Sequence, residues 1–196
     1  MYTDVDDVGA LAVVNALTSM GEANLVGVVV DTSSEYSAGC AAAVDTYFGH
    51  PNVPVGITYP VTTDDSAWHN YNVACSGFPQ TLDYAHIPTA LSVYQQALEA
   101  QPDGSVVIVA IGFEGRLSEL LDAPADGSGL TGRELIQRKV KMLVAMGGGY
   151  PSSSWEHNFG ADPAAAANVA NNWPTMIVYS GYELGEDIGT GETHCT

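Results

Sequence analysis

Three carboxylates lie within four residues near the amino end of the chain. Asp4, Asp6 and Asp7 directly precede a stretch with apolar residues at helical spacing. Crowded carboxylates repel one another unless a cation neutralises them, and oxygen ligands suit Ca²⁺ or Mg²⁺. The alternative is helix capping, where each acid near the free backbone N–H groups contributes about 0.3–1 kcal/mol. Because these acids alone supply too few oxygens for a cation, a metal site requires further ligands from other loops.

A second polar cluster precedes a predicted helix. Glu156 and Asn158 are two residues apart, so they face the same side if that segment is extended. A carboxylate accepts hydrogen bonds and an amide both accepts and donates them, which matches the hydroxyl groups of a sugar. Asp162 followed by Pro163 is typical of a helix start. An ordinary polar loop is the alternative interpretation of this segment.

Several common catalytic motifs do not occur in the sequence. Gly147, Gly148 and Gly149 follow a predicted strand, but no GxGxxG or GK[ST] motif and no nearby lysine complete a phosphate-binding loop. A tight turn or a close backbone approach is the interpretation we prefer for these glycines. There is no HExxH and no GxSxG motif. The three cysteines lack the close spacing of a zinc site and allow one disulfide with one thiol left over.

Apolar runs alternate with helical stretches along the chain. Continuous β-branched runs are typical of parallel strands covered on both faces, and their alternation with helices is the α/β plan. The predicted strands are residues 25–30, 106–111, 140–146 and 176–179, and the predicted helices are residues 7–20, 37–47, 89–100, 115–121 and 161–171. Residues 122–132 are predicted to be a loop, and residues 58–86 a long irregular excursion.

The polar residues that follow the predicted strands are the best place for chemistry. In open parallel sheets, ligands bind at the carboxyl ends of the strands. Asp31 follows the first predicted strand, the segment Gly112–Gly115 follows the second, and the Gly147–Tyr150 segment follows the third. In such a plan the acidic turn at Asp4–Asp7 should also follow a strand, but no strand precedes it in the sequence.

The composition excludes several classes of function. The 196 residues suggest one domain, covering residues 1–196, and the 46% apolar content suffices for a core. With 5 Lys and Arg against 23 Asp and Glu, the net charge of −18 argues against binding to nucleic acid or anionic membranes. The sequence as given predicts neither a transmembrane run nor a signal peptide. Few lysines and 21 glycines favour a secreted microbial enzyme.

Several segments together resemble the inosine–uridine-type nucleoside hydrolases. TDVDDVGAL at 3–11 resembles the end of that family's amino-terminal motif, in which DxD and a short spacer precede DD and a helix. VAIGF at 109–113 resembles the strand that leads into its GPLTNLA segment. MGGG at 146–149, EHNF at 156–159 and DPAA at 162–165 resemble its MGG…EFN…DPEAA stretch. Because the order and approximate spacing agree, the resemblance covers nearly the whole chain.

The resemblance implies a fold, a reaction and a set of site residues. The fold would be a three-layer α/β domain with a mostly parallel central sheet and Rossmann-like topology. The reaction would be Ca²⁺-dependent hydrolysis of the N-glycosidic bond of a ribonucleoside. Asp7 and the backbone carbonyl of Gly115 would bind Ca²⁺, and Asp6 would hold the ribose hydroxyls. Glu156 and Asn158 would bind the 5′ and 3′ sides of the ribose.

The sequence also departs from the family pattern. The DxD pair that supplies the family's general base is expected before Met1, so Asp4, at a different spacing, and Asp6 are the candidate catalytic residues. Asp31 stands near the position of the family's Asn after the second strand and is a candidate ribose ligand. Gly115 replaces a Thr and Arg116 an Asn. The late His-Asp pair of the family is also absent, so we expect the chain to be incomplete at both ends.

These departures leave a second function open. A non-catalytic protein could bind ribose or nucleosides, or serve in an assembly, with the same fold and an incomplete site. In both cases the expected partner is a small-molecule nucleoside or ribose rather than a nucleic acid or a membrane. Homo-oligomer formation remains an open alternative, and an extracellular location is the one that the composition favours.

Overall fold

The computed structural model describes residues 5–63, 70–152, 154–186 and 188, without the side chains of residues 70 and 71. The strands are β1 (Val28–Val30), β2 (Val55–Ile57), β3 (Val106–Ala110), β4 (Val140–Met146) and β5 (Met176–Ser180). The helices are α1 (Asp6–Ser19), α2 (Glu35–Tyr47), α3 (Asn70–Ser76), α4 (Ala90–Ala100), α5 (Gly115–Asp122), α6 (Gly132–Lys139), α7 (His157–Ala161) and α8 (Pro163–Asn172). Alternating strands and helices confirm the predicted α/β class.

The described strands form two parallel ladders. β1 pairs with β2, while β4 lies between β3 and β5. Each pairing is parallel, and Val109 of β3, Val144 of β4 and Val178 of β5 lie side by side. The sequence predicted one central sheet, but within the described ranges β1 and β3 are not paired with each other.

Two apolar cores lie against these ladders. The larger one packs β3–β5 against helices α4, α5, α6 and α8, with Leu117, Leu120, Ile136, Leu143 and Val169 at its centre. The smaller one packs β1 and β2 against helices α1 and α2. Helices therefore pack against both ladders, as an α/β domain requires.

The described residues leave one face of the β3–β5 ladder uncovered. Val107 and Val109 of β3 are 45% and 64% exposed, and Met176 and Val178 of β5 are 60% and 43% exposed. Met142 and Val144 of β4 lie between them in register. We call these six side chains the open face. Parallel sheets normally bury both faces, so this arrangement is unusual.

Several elements differ from the sequence-based expectation. The prediction for residues 58–86 was wrong in part, since α3 lies inside that segment. Strand β2 and helix α6 were not predicted, because β2 has only three residues and the apolar pattern did not indicate α6. The extended conformation considered for the Glu156–Asn158 segment was wrong, because helix α7 begins at His157. The observed β1 is also shorter than the predicted strand.

A disulfide joins two helices. Cys40 of α2 and Cys75 of α3 are bonded, with 4.8 Å between their Cα atoms and a sequence separation of 35. Cys195 lies outside the described residues. The bond therefore ties α3 to α2. None of the described helices combines the length and apolar character needed to cross a membrane.

Candidate functional site

The candidate site lies where the ends of β1 and β3 meet. Asp31 follows β1 and Gly112 follows β3. A Cβ atom added to Gly112 would lie 2.8 Å from Oδ2 of Asp31, so the two strand ends are in contact although the strands do not pair. Only glycine leaves room for the carboxylate at this position. We call the region around Asp7, Asp31, Glu114 and Glu156 the acidic crevice.

Asp31 has an unusual electrostatic environment. The residue keeps some exposed surface, but its carboxyl group is desolvated. Burial raises the pKa of Asp31 to about 7, the Arg116 guanidinium opposes this rise, and the Asp7 carboxylate adds to it. Asp7 and Arg116 both act electrostatically on this carboxyl group. The first turns of α1 and α5 therefore lie near the end of β1.

Glu114 is the residue that sequence reasoning missed. It directly precedes α5 and is only 1% exposed. Neither carboxylate oxygen has a hydrogen-bond partner within the described part of the chain. Burial, with a smaller contribution from the carboxylates of Asp31 and Glu156, raises the pKa of Glu114 to about 7. The sequence signal for Glu114 was its position in the segment that follows a predicted strand. The family motif pointed instead to the neighbouring Gly115, as a calcium ligand.

Glu156 is held by backbone amides. Its Oε1 accepts from the N–H of Asn158 at 2.7 Å, and its Oε2 accepts from the N–H of Gly148 at 2.9 Å and of Phe159 at 3.1 Å. The side chain caps α7 and ties that helix to the glycine segment after β4. Its proposed contact with ribose stays a prediction, and any ligand would share oxygens that already accept these bonds.

Asn158 ties two strand ends together. Its Nδ2 donates to the backbone carbonyl of Met146 at 3.1 Å and lies 3.4 Å from that of Ile111. The first carbonyl ends β4, and the second follows β3. Asn158 thus helps to set the spacing of the strand ends that surround the crevice. Its role as a ribose ligand is also still a prediction.

The glycines after β4 make close packing possible. A Cβ on Gly147 would collide with the ring of Phe159, and Gly148 has a φ of +80°, which favours glycine. The ring of Phe159 in turn lies 5.5 Å from that of Tyr179. These contacts agree with a tight turn and a close approach.

The remaining predicted residues lie at helix starts. Asp6 is exposed, and its Oδ1 accepts from the backbone N–H of Asp7 at 2.9 Å. Asp7 is half-buried in the first turn of α1. Asp4 lies outside the described residues. Gly115 begins α5, and a Cβ there would lie 3.6 Å from Oδ2 of Asp162, which caps α8.

The oxygen atoms around the acidic crevice are of the chemical type that binds a hard cation. Carboxylate and carbonyl oxygens are the ligands that Ca²⁺ prefers, and the buried oxygens of Glu114 have no partner in the part of the chain that the structure describes. Across the described ranges, however, no three His, Cys, Asp or Glu side chains are grouped closely enough to hold a metal ion. The crevice therefore has suitable oxygens without a finished coordination sphere among those residues.

A shallow depression lies elsewhere on the surface. It has a volume of about 300 Å³ and is lined by Leu25 and by residues 49–54, which precede β1 and β2. It therefore lies at the amino ends of these strands, whereas ligands of open parallel sheets bind at the carboxyl ends. We place the candidate site in the acidic crevice for this reason.

Comparisons with known proteins support the fold. No protein-family model matches the chain, and no curated protein matches it. Among solved structures, the type III effector protein XopQ complexed with adenosine diphosphate ribose matches with a TM-score of 0.68 and 19% identity. The match covers 93% of this chain and 54% of the effector chain, so this chain spans about half the length of that protein. The likeness establishes the fold, which is α/β and nucleoside-hydrolase-like.

Proposed function

We propose that this chain binds the ribose of a nucleoside in the acidic crevice and hydrolyses its N-glycosidic bond with the help of Ca²⁺. The observation that carries the proposal is the pair of desolvated carboxyl groups of Asp31 and Glu114 at neighbouring strand ends. A solved structure of similar fold contains a ribose-bearing ligand, which supports a ribose-containing small molecule as the ligand class.

The charge of the molecule favours a neutral substrate. Carboxylates accept hydrogen bonds from hydroxyl groups, which a ribose supplies in pairs. The net charge of −18 would repel a phosphorylated ligand over long distances. An unphosphorylated nucleoside meets both conditions.

The proposed roles follow the sequence resemblance. Asp7 and the carbonyl of Gly115 would hold Ca²⁺, which when bound lowers the pKa of a ligated water and fixes the position of the ribose. Asp6 would orient the ribose hydroxyls, and Asp4 or Asp6 would accept the proton of the attacking water. Asp31 contacts the sugar, while Glu156 and Asn158 hold the 5′ and 3′ sides and keep the strand ends in place.

A non-catalytic binding protein is the second candidate. Two observations favour it: the described residues contain no finished metal site, and the Glu156 carboxylate already accepts three backbone hydrogen bonds. Such a protein would bind ribose or nucleosides without releasing the base. The same experiments separate the two candidates.

The test measures release of reducing sugar from inosine and uridine, with Ca²⁺ or with EDTA. We expect Ca²⁺-dependent release that Asp7→Asn abolishes and that Glu22→Gln leaves unchanged. Glu22 is an exposed acid beyond the far end of α1, so its variant removes one charge at a distance. Wild-type turnover by Asp7→Asn would refute the assignment, and nucleoside binding without release would establish the second candidate.

Calorimetry tests the metal separately. We expect heat on titration with CaCl₂ and a rise in the unfolding temperature, because a bound cation would neutralise acids that now repel one another. If neither occurs, the calcium part of the proposal is wrong.

A further inference from the structure

Three polar groups around the acidic crevice have unused hydrogen-bonding capacity. They are the two carboxylate oxygens of Glu114, the hydroxyl of Tyr179 and Oγ1 of Thr32, each buried and without a partner among the described residues. Buried polar groups are almost always hydrogen-bonded, because leaving one unpaired carries a desolvation cost that is larger for a charged group. A group of such atoms at strand ends therefore calls for an explanation in terms of a ligand.

Among these three groups, the Glu114 carboxylate has the largest free-energy cost of burial without a hydrogen-bond partner. It is 1% exposed and faces the carboxylates of Asp31 and Glu156. The backbone amides that satisfy Glu156 do not reach it, and Glu114 caps no N–H of α5 through its side chain. Among the described residues, no hydrogen bond to the Glu114 carboxylate explains why it is buried.

The hydroxyl of Tyr179 lies close to the Glu114 carboxylate. The pKa of the Tyr179 hydroxyl is raised to about 12 by burial and by the charge of Glu114, so the two groups lie near each other. They are not bonded to each other, although one could donate to the other. A bridging hydroxyl group could donate to Glu114 and accept from Tyr179, which would satisfy both.

We propose that Glu114 is a ligand-contacting residue whose carboxylate accepts hydrogen bonds from the vicinal hydroxyl groups of a ribose, with Tyr179 as its neighbour on β5. This inference rests on the proposed function and assigns it a binding residue that the family motif does not supply, since the resemblance places no acid at this position. The Glu114 oxygens are closed to solvent. The Gly112–Gly115 turn must therefore yield when the sugar enters.

The charge state of the region favours a sugar over an anion. Asp7, Asp31, Glu114 and Glu156 surround the proposed contact, and Arg116 is the basic group that acts on Asp31. The Arg116 guanidinium is already bonded to Glu119, with 2.6 Å between Nη1 and Oε2. Several carboxylates would repel a phosphate here. A neutral diol could instead donate hydrogen bonds to the oxygens of Glu114 that are unpartnered among the described residues.

The test compares ribose with 2-deoxyribose by calorimetry in the presence of Ca²⁺. Neither sugar has a glycosidic base, so binding is measured apart from hydrolysis. A hydrogen bond to a charged group contributes about 1.5–3 kcal/mol, which corresponds to roughly 10- to 150-fold in affinity. We expect the wild-type protein to bind ribose at least about tenfold more tightly than 2-deoxyribose, and Glu114→Gln to lose most of that preference.

A stability measurement separates a ligand contact from a structural role. Glu114→Gln keeps the size of the side chain and removes an uncompensated charge, so we expect its unfolding temperature without ligand to equal or exceed that of the wild type. A residue that supports the fold would lower it. Tyr179→Phe should weaken ribose binding as well, and Glu22→Gln should change neither quantity.

Two outcomes overturn the inference in different ways. If the wild type binds ribose and Glu114→Gln binds it equally well with the same preference, Glu114 is not a contact and the proposed function stands. If the wild type binds neither ribose nor nucleosides, the proposed function fails and this inference fails with it.

Discussion

Among the described residues, two places where buried acids lack full hydrogen bonding can be compared. One is the acidic crevice, and the other is the contact between α1 and α2. There, Nδ2 of Asn15 donates to Oδ1 of Asp45 at 2.7 Å, and the two residues are 0% and 1% exposed. The other oxygens of both side chains, Oδ1 of Asn15 and Oδ2 of Asp45, have no partner among the described residues. Burial raises the pKa of Asp45 to about 6, while Asn15 and His50 oppose the rise.

Asp45→Asn should stabilise the protein at pH 8. Because the folded pKa of Asp45 lies above its ordinary value near 4, the favourable contribution is complete at low pH and is lost as the pH rises through about 6. An amide carries no charge and can donate to the unpaired Oδ1 of Asn15. We expect a gain of about 1–3 kcal/mol in the free energy of unfolding at pH 8. Urea unfolding should show the two proteins converging near pH 4.

Asp103→Asn is the matched control of opposite sign. Asp103 is an exposed acid bonded to Lys139 and Arg138 at 2.9 and 3.0 Å, and these bonds hold its pKa below the ordinary value. Its amide variant should lose a little stability at neutral pH and none in strong acid. A loss of stability at pH 8 for Asp45→Asn would contradict the interpretation of the buried pair.

At the scale of elements, local capping accounts for a helix that the apolar pattern did not indicate. Helix α6 begins with a capping box, in which Oγ1 of Thr131 accepts from the N–H of Glu134 and the Glu134 carboxylate accepts from the N–H of Thr131. Arg138 and Lys139 lie in its last turn, where cations interact favourably with the helix dipole. The T-x-x-E pattern at 131–134 was the available signal in the sequence.

Thr131→Ala should lower the free energy of unfolding by about 1 kcal/mol, because the variant leaves a backbone N–H at the start of α6 without its acceptor. Thr131→Ser retains the hydroxyl and should cost much less. Chemical denaturation of the three proteins measures the difference. Equal losses in the two variants would show that the methyl group of Thr131, and not the cap, stabilises this helix.

Strand β3 has one buried and one exposed side. Ile108 is 8% exposed and belongs to the larger core, whereas Val109 belongs to the open face. Ile108→Ala should cost about 2–5 kcal/mol through lost burial and a cavity. Val109→Ala should change stability by no more than about 0.5 kcal/mol, as for most exposed positions. Thermal unfolding of the two variants tests this, and a large loss for Val109→Ala would mean that the open face is covered in solution.

At the scale of the whole molecule, acidic charge dominates. The chain carries 23 Asp and Glu against 5 Lys and Arg. Three of these basic residues, Arg116, Arg138 and Lys139, already pair with acids. A net charge of −18 destabilises a compact state through self-repulsion while keeping it soluble.

Salt should therefore stabilise the protein. Raising NaCl from roughly 0.01 to 0.5 M shortens the screening length from about 30 Å to a few ångströms, so the unfolding temperature should rise. A neutral osmolyte at equal osmolarity is the control for solvent effects. If CaCl₂ stabilises more than NaCl at equal ionic strength, the excess reports cation binding beyond screening. A fall in unfolding temperature with NaCl would contradict the repulsion argument.

The sequence alone determined the fold class and the place of the long elements. Continuous apolar runs and helical periodicity are local properties, so β3, β4 and β5 and most helices could be predicted from them. The motifs also directed attention to Asp31, Glu156 and Asn158. Short elements such as β2 and α7 carry too few residues for a pattern to stand out.

Only the tertiary structure decided which polar groups are paired and which are left without partners. The contact of Asp31 with Gly112 joins residues 81 positions apart in sequence, since 112 − 31 = 81. Glu156 and Glu114 are both glutamates near the start of a helix, yet Glu156 accepts three backbone hydrogen bonds and Glu114 accepts none from the described residues. Desolvation and hydrogen bonding depend on which distant segments pack together, and no local pattern records that.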